Sequence, residues 1–196
     1  MKVWIRRLQY GLAIAGVALL GYCVAVFLGA QVYQAKAKRN FEKQRQIEKP
    51  IAAGTRRSTA PAPGPRAGLV VGRLEIPRIG LSVIVVEGAD ARELTLAAGH
   101  IPGTALPDRD GNIGIAGHRD TFFRPLRAIR RNDAINLVTL RNVRRYRVES
   151  TEVVTPDDVQ VLNPLGHNVL TLVTCFPFDY VGAAPKRFIV RAEPME

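Results

Sequence analysis

The alternation of hydrophobic and polar positions divides the chain into three unlike stretches. From Leu8 to Ala35 no side chain is charged, and the apolar centre, residues 11–30, would cross about 30 Å as a helix, the thickness of a bilayer's hydrocarbon core. Lys2, Arg6 and Arg7 precede it. A cleaved signal peptide also opens with basic residues, but its apolar run is about 7–15 residues long and closes on a small-x-small site, whereas Gln31 and Val32 follow Ala30 here. The pattern predicts an uncleaved membrane anchor at 11–30 behind a basic flank at 1–10. Residues 31–68 form the second stretch. Residues 36–49 are polar and helix-compatible and read as a solvated stem, with a short helical extension near lipid headgroups as the alternative. Residues 50–68, with Pro50, Pro61, Pro63 and Pro65, read as a semi-rigid linker holding a domain off the bilayer.

Residues 69–196 switch to short runs rich in Val, Ile, Leu and Thr, at 69–76, 81–87, 112–118, 134–140, 144–154, 169–175 and 187–192. Turn-forming clusters separate them, such as Asp108-Arg109-Asp110-Gly111 and Asn163-Pro164-Leu165-Gly166. Residues 90–98 are the best helix candidate, with Asp90 as N-cap and Leu94 and Leu96 as apolar contacts, and residues 123–129 suggest a helical turn. Many short strands with fragments of helix predict a mainly β domain closed, or nearly closed, into a barrel. There is no βαβ series, internal repeat or glycine-rich phosphate loop.

The chain has 196 residues, room for one such domain, and a formal charge of +11. The charge does not point to nucleic acid, because it is not on the domain. Residues 1–68 carry twelve basic and two acidic side chains, while residues 69–196 carry sixteen basic and fifteen acidic. The electrostatic footprint of a nucleic-acid-binding domain is missing. Basic residues lie on both sides of the apolar stretch, and the positive-inside count by itself favours a cytoplasmic C-terminus.

Cys175 is the domain's single cysteine, since Cys23 lies in the apolar span, so the domain holds no internal disulfide. A lone cysteine is commonly a small buried hydrophobe. Cys175, however, falls where the run Thr171-Leu172-Val173-Thr174 gives way to Phe176-Pro177, and a strand end beside a loop presents a reactive group on a rigid base. A thiol needs help to attack near neutral pH: at ordinary pKa values of about 8.5 and 6.5, thiolate and imidazolium coexist in under about 1% of molecules at pH 7. Three histidines could help. His118 ends the run Gly114-Ile115-Ala116-Gly117, again a strand terminus; His100 and His167 read as ordinary turn or surface residues. Arg187 opens the next strand twelve residues after Cys175, where a guanidinium could face the thiol if the strands pair. A solvated strand arginine is the plainer alternative. Asp120 orients the imidazole or simply forms a turn, and Thr174 touches substrate or is an ordinary strand residue. Asp108, Asp110, Glu149, Glu152, Asp157 and Asp158 show no ligand spacing, so neither a metal nor a cofactor is expected.

The segments Gly-Ile-Ala-Gly-His118-Arg-Asp-Thr-Phe-Phe-Arg-Pro-Leu, Thr171-Leu-Val-Thr-Cys175 and Arg187-Phe-Ile-Val-Arg-Ala together resemble the sortase family of cysteine transpeptidases, over roughly residues 69–196. Thr-Leu-x-Thr-Cys is the most specific part. The short architecture and the His-Arg-Asp-Thr-Phe-Phe run look most like class D. The resemblance implies an eight-stranded barrel, catalytic Cys175, His118 and Arg187, and an N-terminal membrane anchor. Its implied partners are secreted proteins carrying a C-terminal Leu-Pro-x-Thr-Gly-like sorting signal, an amine acceptor from cell-wall peptide or protein, and membrane lipid, with no nucleic acid. It also implies a domain facing outward at the plasma membrane, against the positive-inside count. The stem lacks the Asp-Pro-aromatic lid element of many pilus-assembling relatives, and the stretch from Val154 to Val169 is too short for the helical insertion of class B. No His-Gly with Ser-x-Gly-Cys pattern of other cell-wall cysteine transpeptidases occurs. The alternative is a membrane-tethered β-barrel that binds without catalysis.

Overall fold

The computed structural model describes residues 2–52 and 66–195. Helix α1 (Lys2–Ala52) is followed by β1 (Val70–Ile76), β2 (Leu81–Glu87), α2 (Ala91–Leu96), β3 (Ala98–His100), β4 (Asn112–Ala116), β5 (Ala134–Val138), β6 (Val143–Val154), β7 (Val169–Phe176) and β8 (Lys186–Pro194), with 3-10 turns at Pro77–Ile79, Arg124–Ala128 and Val159–Leu162. The strands close into a barrel in the order β1-β2-β3-β4-β7-β8-β6-β5. Seven strands fall where the pattern of β-branched residues puts them. The eighth, β3, has three residues, too short for an alternation to register. Its backbone runs parallel to β2 and antiparallel to β4.

Alternation sorts the side chains of each strand. Leu170, Leu172, Val190 and Ala192 point into the barrel, where they meet Leu74, Ile113, Ile115, Leu137, Tyr146 and Phe123 in one closed core. The intervening positions, including Val173, Cys175, Arg187 and Ile189, therefore lie on the outer face.

The stem differs from its expectation. Helix α1 does not stop at residue 30 but continues to Ala52, about 76 Å in all, because residues 31–49 contain neither Gly nor Pro and are mostly good helix formers. Nor is this part solvated all round. Gln34, Ala37 and Phe41, spaced to share one face, are buried against Ile84, Val86, Ala97 and Val138. The reason is an incomplete sheet edge. Strand β3 pairs with β2 only from Val85 onward. Upstream of that, the Gln34 side-chain oxygen accepts from the Ile84 amide at 3.0 Å, and Lys38 Nζ donates to the Ser82 carbonyl at 2.8 Å. The other end of the Gln34 amide donates to the Leu96 carbonyl at 2.8 Å, and Glu42 pairs with Arg73 on β1. The helix covers an edge that would otherwise leave ladder groups unpaired. The first of these contacts comes four residues after Ala30, so the barrel sits close to the end of the apolar span and is not held off by the stem. Most of the Pro-rich linker, residues 53–65, lies outside the described residues.

The end of β4 is equally constrained. A Cβ on Gly117 would lie 2.7–2.9 Å from the Phe123 ring, which is fully buried. Only glycine lets the ring pack on this backbone, and the Phe123 amide closes the turn onto the His118 carbonyl at 3.0 Å.

Replacing Phe41 by Ala should lower the stability of the full chain in detergent by about 3 kcal/mol, read as a drop in denaturation midpoint. Gly117→Ala should cost about 1–3 kcal/mol by overpacking, with partial recovery in the Gly117→Ala/Phe123→Leu double variant.

Candidate active site

Three neighbouring strands bring the sequence candidates together. β4 and β7 run parallel, with Ala116 opposite Val173. Two bonds carry that register past the end of the ladder: the Gly117 amide donates to the Val173 carbonyl at 3.1 Å, and Thr174 Oγ1 donates to the Gly117 carbonyl at 2.7 Å. His118 thus comes alongside Cys175. On the other flank, β7 and β8 are antiparallel, and Cys175 is directly opposite Arg187. Opposed residues in an antiparallel pair share a face, so thiol and guanidinium emerge on the same outer side. Cys175 is half-buried and His118 exposed, which leaves both within reach of a ligand from solvent. Arg187 is half-buried, and its Nη1 donates to the carbonyls of Ala184 at 3.2 Å and Lys186 at 3.0 Å.

The other candidates are placed differently. Thr174 is buried and its hydroxyl is taken by Gly117, so its part is to hold two strand ends together rather than to meet a ligand. Asp120 turns outward with its side chain 62% exposed, and its carboxylate faces Arg119 Nε at 3.3 Å. Among the described residues no hydrogen bond joins Asp120 to the His118 imidazole. His100 is buried between Glu87, at 2.8 Å from Nδ1, and the Ala105 carbonyl, at 2.9 Å from Nε2. His167 is exposed in its turn, against the Leu165 carbonyl. Of the three histidines, only His118 reaches the thiol's side of the barrel. The acidic side chains have other partners: Asp110 meets Arg144 and Asn168, and Glu152 meets Arg191.

Sequence reasoning missed both walls of the cleft. On one side, the connection from β6 to β7 folds over the outer face of the barrel and encloses a cavity of about 100 Å³ with Val154, Val159, Leu162, Val173, Ile189 and Arg187 in its lining. Val173 and Ile189 are each two residues from Cys175 and Arg187, on the same face. The Asp158 carboxyl in this wall accepts from the Thr155 hydroxyl and amide, both at 2.8 Å, which holds it below the ordinary carboxylate range. That bracing is fully present above the ordinary carboxylate range and is lost only as pH falls below it, through the lowered value. The buried Asn112 amide secures the same wall by donating to the Val161 and Asn163 carbonyls, each at 3.1 Å. On the other side stands the β7–β8 connection, with the aromatic cluster Phe176, Phe178 and Phe188 at its base. The legible signals were the apolar Val159–Leu162 segment and an arginine directly after His118.

A family model described as the sortase domain matches residues 74–195. Sortase D of Bacillus subtilis is 38% identical to this chain over 146 residues, covering 71% of this chain and 73% of that protein. Among solved structures, a Clostridium perfringens Sortase D5 transpeptidase aligns with a TM-score of 0.69 at 26% identity, over 84% of this chain and 99% of that one. Clostridium perfringens sortase C, solved with a C-terminal cell wall sorting motif, aligns with a TM-score of 0.63 at 22% identity, over 82% and 90% of the two chains, a likeness of fold alone. The family match runs from the first strand of the barrel to the last, and with it the eight-stranded closure has its explanation: this chain belongs to the sortase family of cysteine transpeptidases and is similar to its class D members.

Proposed function

We propose that the chain is a membrane-anchored transpeptidase that cleaves a Leu-Pro-x-Thr-Gly-like sorting signal between Thr and Gly and joins the threonine acyl group to an amine. The observation that carries this reading is the register of β4, β7 and β8, which sets His118, Cys175 and Arg187 side by side on one face.

The Cys175 thiolate adds to the threonine carbonyl carbon. The bond to glycine nitrogen breaks as His118 gives a proton to the departing amine, leaving a thioester on Cys175. An incoming amine adds to that thioester, loses its proton to His118 and expels the thiolate as the new amide forms; water in its place gives hydrolysis. Each tetrahedral intermediate carries an oxyanion. Arg187 and a backbone N–H stabilise it, and the two carbonyls bound to Nη1 hold the guanidinium in place for this. The apolar cavity beside Val173 and Ile189 suits the leucine and proline side chains of the signal.

The substrates are secreted proteins, so the barrel faces outward and residues 1–10 face the cytoplasm. The helix docking supports a compact arrangement near the membrane, in which the basic side chains of the stem meet anionic headgroups.

Cys175→Ala should abolish cleavage of a sorting-signal peptide, and Arg187→Ala should lower kcat by about 10²–10³-fold with a smaller change in KM. Unchanged turnover in Cys175→Ala would end the nucleophile assignment, and a wild type that binds the peptide without cleaving it would leave a binding module instead. Protease added to intact cells should digest the barrel; full protection would reverse the orientation.

A further inference from the structure

The residue after His118 is a nearly fully buried arginine, with 5% exposure. Burying a guanidinium is costly unless its donors are met. Asp120, mostly in solvent, accepts only from Nε, at 3.3 and 3.4 Å, and among the described residues no carboxylate meets the Nη donors. Three backbone carbonyls of the β7–β8 connection do. Nη1 donates to Pro177 at 2.8 Å, and Nη2 to Tyr180 at 2.5 Å and Gly182 at 3.1 Å, while the Tyr180 ring lies 5.9 Å from the guanidinium carbon. This connection has no strand partner for those carbonyls, and a planar fork with fixed donors answers three of them at once; a lysine ammonium is a point charge without that fork. The connection begins two residues after Cys175. Its tip carries Tyr180 and Val181, 46% and 95% exposed.

We propose that Arg119 is a positioning residue, which ties the strand end bearing His118 to the wall that follows Cys175 so that imidazole and thiol move as one body. His118 is exposed, while Arg119 beside it is buried under the connection. Losing the fork frees the connection, and the imidazole and sulfur no longer keep a common spacing. A misplacement of about 1 Å costs catalysis on the order of 10²-fold with little effect on ground-state binding. The catalytic half of this inference rests on the transpeptidase reading; the mechanical half does not.

The test compares the full chain in detergent as wild type, Arg119→Gln and Arg119→Lys, by amide hydrogen exchange of residues 177–185 and by steady-state cleavage of a sorting-signal peptide. Both variants should exchange at least about 10-fold faster in 177–185, while exchange in β1, β2 and β5 stays as in wild type, and kcat should fall about 10- to 100-fold with KM within about threefold. Wild-type exchange in the connection, or a loosened connection with unchanged kcat, overturns the proposal. So does an Arg119→Lys variant equal to wild type in both measurements. If Arg119→Gln unfolds, Arg119→Lys decides alone. If the wild type cleaves no such peptide, the transpeptidase reading falls, and exchange in 177–185 still decides whether Arg119 fastens the wall.

Discussion

Strand register is the constraint on which the rest of this structure depends. Side chains alternate along a strand, so a slip of one residue between β4 and β7, or between β7 and β8, would turn Cys175 into the barrel core and take His118 or Arg187 out of its company. Several buried polar contacts oppose such a slip. Thr174 grips the Gly117 carbonyl, and three residues earlier Thr171 donates to the Asn112 side chain at 2.7 Å. Both threonines sit in β7, both partners in or just after β4, and all are shielded from water, where an unmet polar group is costly. The Thr-x-x-Thr spacing next to Cys175 is in this light a set of strand fasteners.

The cleft is made by what β4 holds at its two ends. Asn112, at its start, binds the carbonyls of the segment that walls the apolar cavity. Arg119, just past its end, binds the carbonyls of the β7–β8 connection. Neither wall has regular pairing of its own, and each is a length of irregular backbone whose carbonyls are met by one buried side chain. Binding surfaces commonly sit on such segments because a rigid scaffold holds them without dictating their shape.

Helix α1 is part of the domain's packing rather than a free tether. An unbroken helix carries the apolar span into contact with β2, and Gln34 serves as an artificial strand edge by accepting from one backbone amide and donating to another backbone carbonyl. Because β3 is so short, the barrel wall would otherwise be open to water at Ile84 and Ser82. Motion of the helix therefore moves the barrel with it.

The sequence alone determined most of the elements and the identity of the candidate side chains. Seven strands were legible because each carries a run of β-branched residues bounded by turn formers, and the long apolar helix because of its length and lack of charge. Cys175, His118 and Arg187 could be singled out because each sits at a strand terminus. What the sequence did not determine was anything set by partners distant along the chain. β3 is a strand only because β2 and β4 flank it. The helix runs on as a docked element only because β2 has an open edge at Gln34. Asp120 and Thr174, chosen for their proximity in sequence to His118 and Cys175, turned to Arg119 and Gly117, since hydrogen bonds go to whatever polar group the packing brings within reach. The three carbonyls that Arg119 meets lie 58 to 63 positions further along the chain, and only the fold lays them across it. Local pattern is a property of neighbouring residues; the choice of partner belongs to the closed barrel, where residues more than fifty positions apart become each other's surroundings.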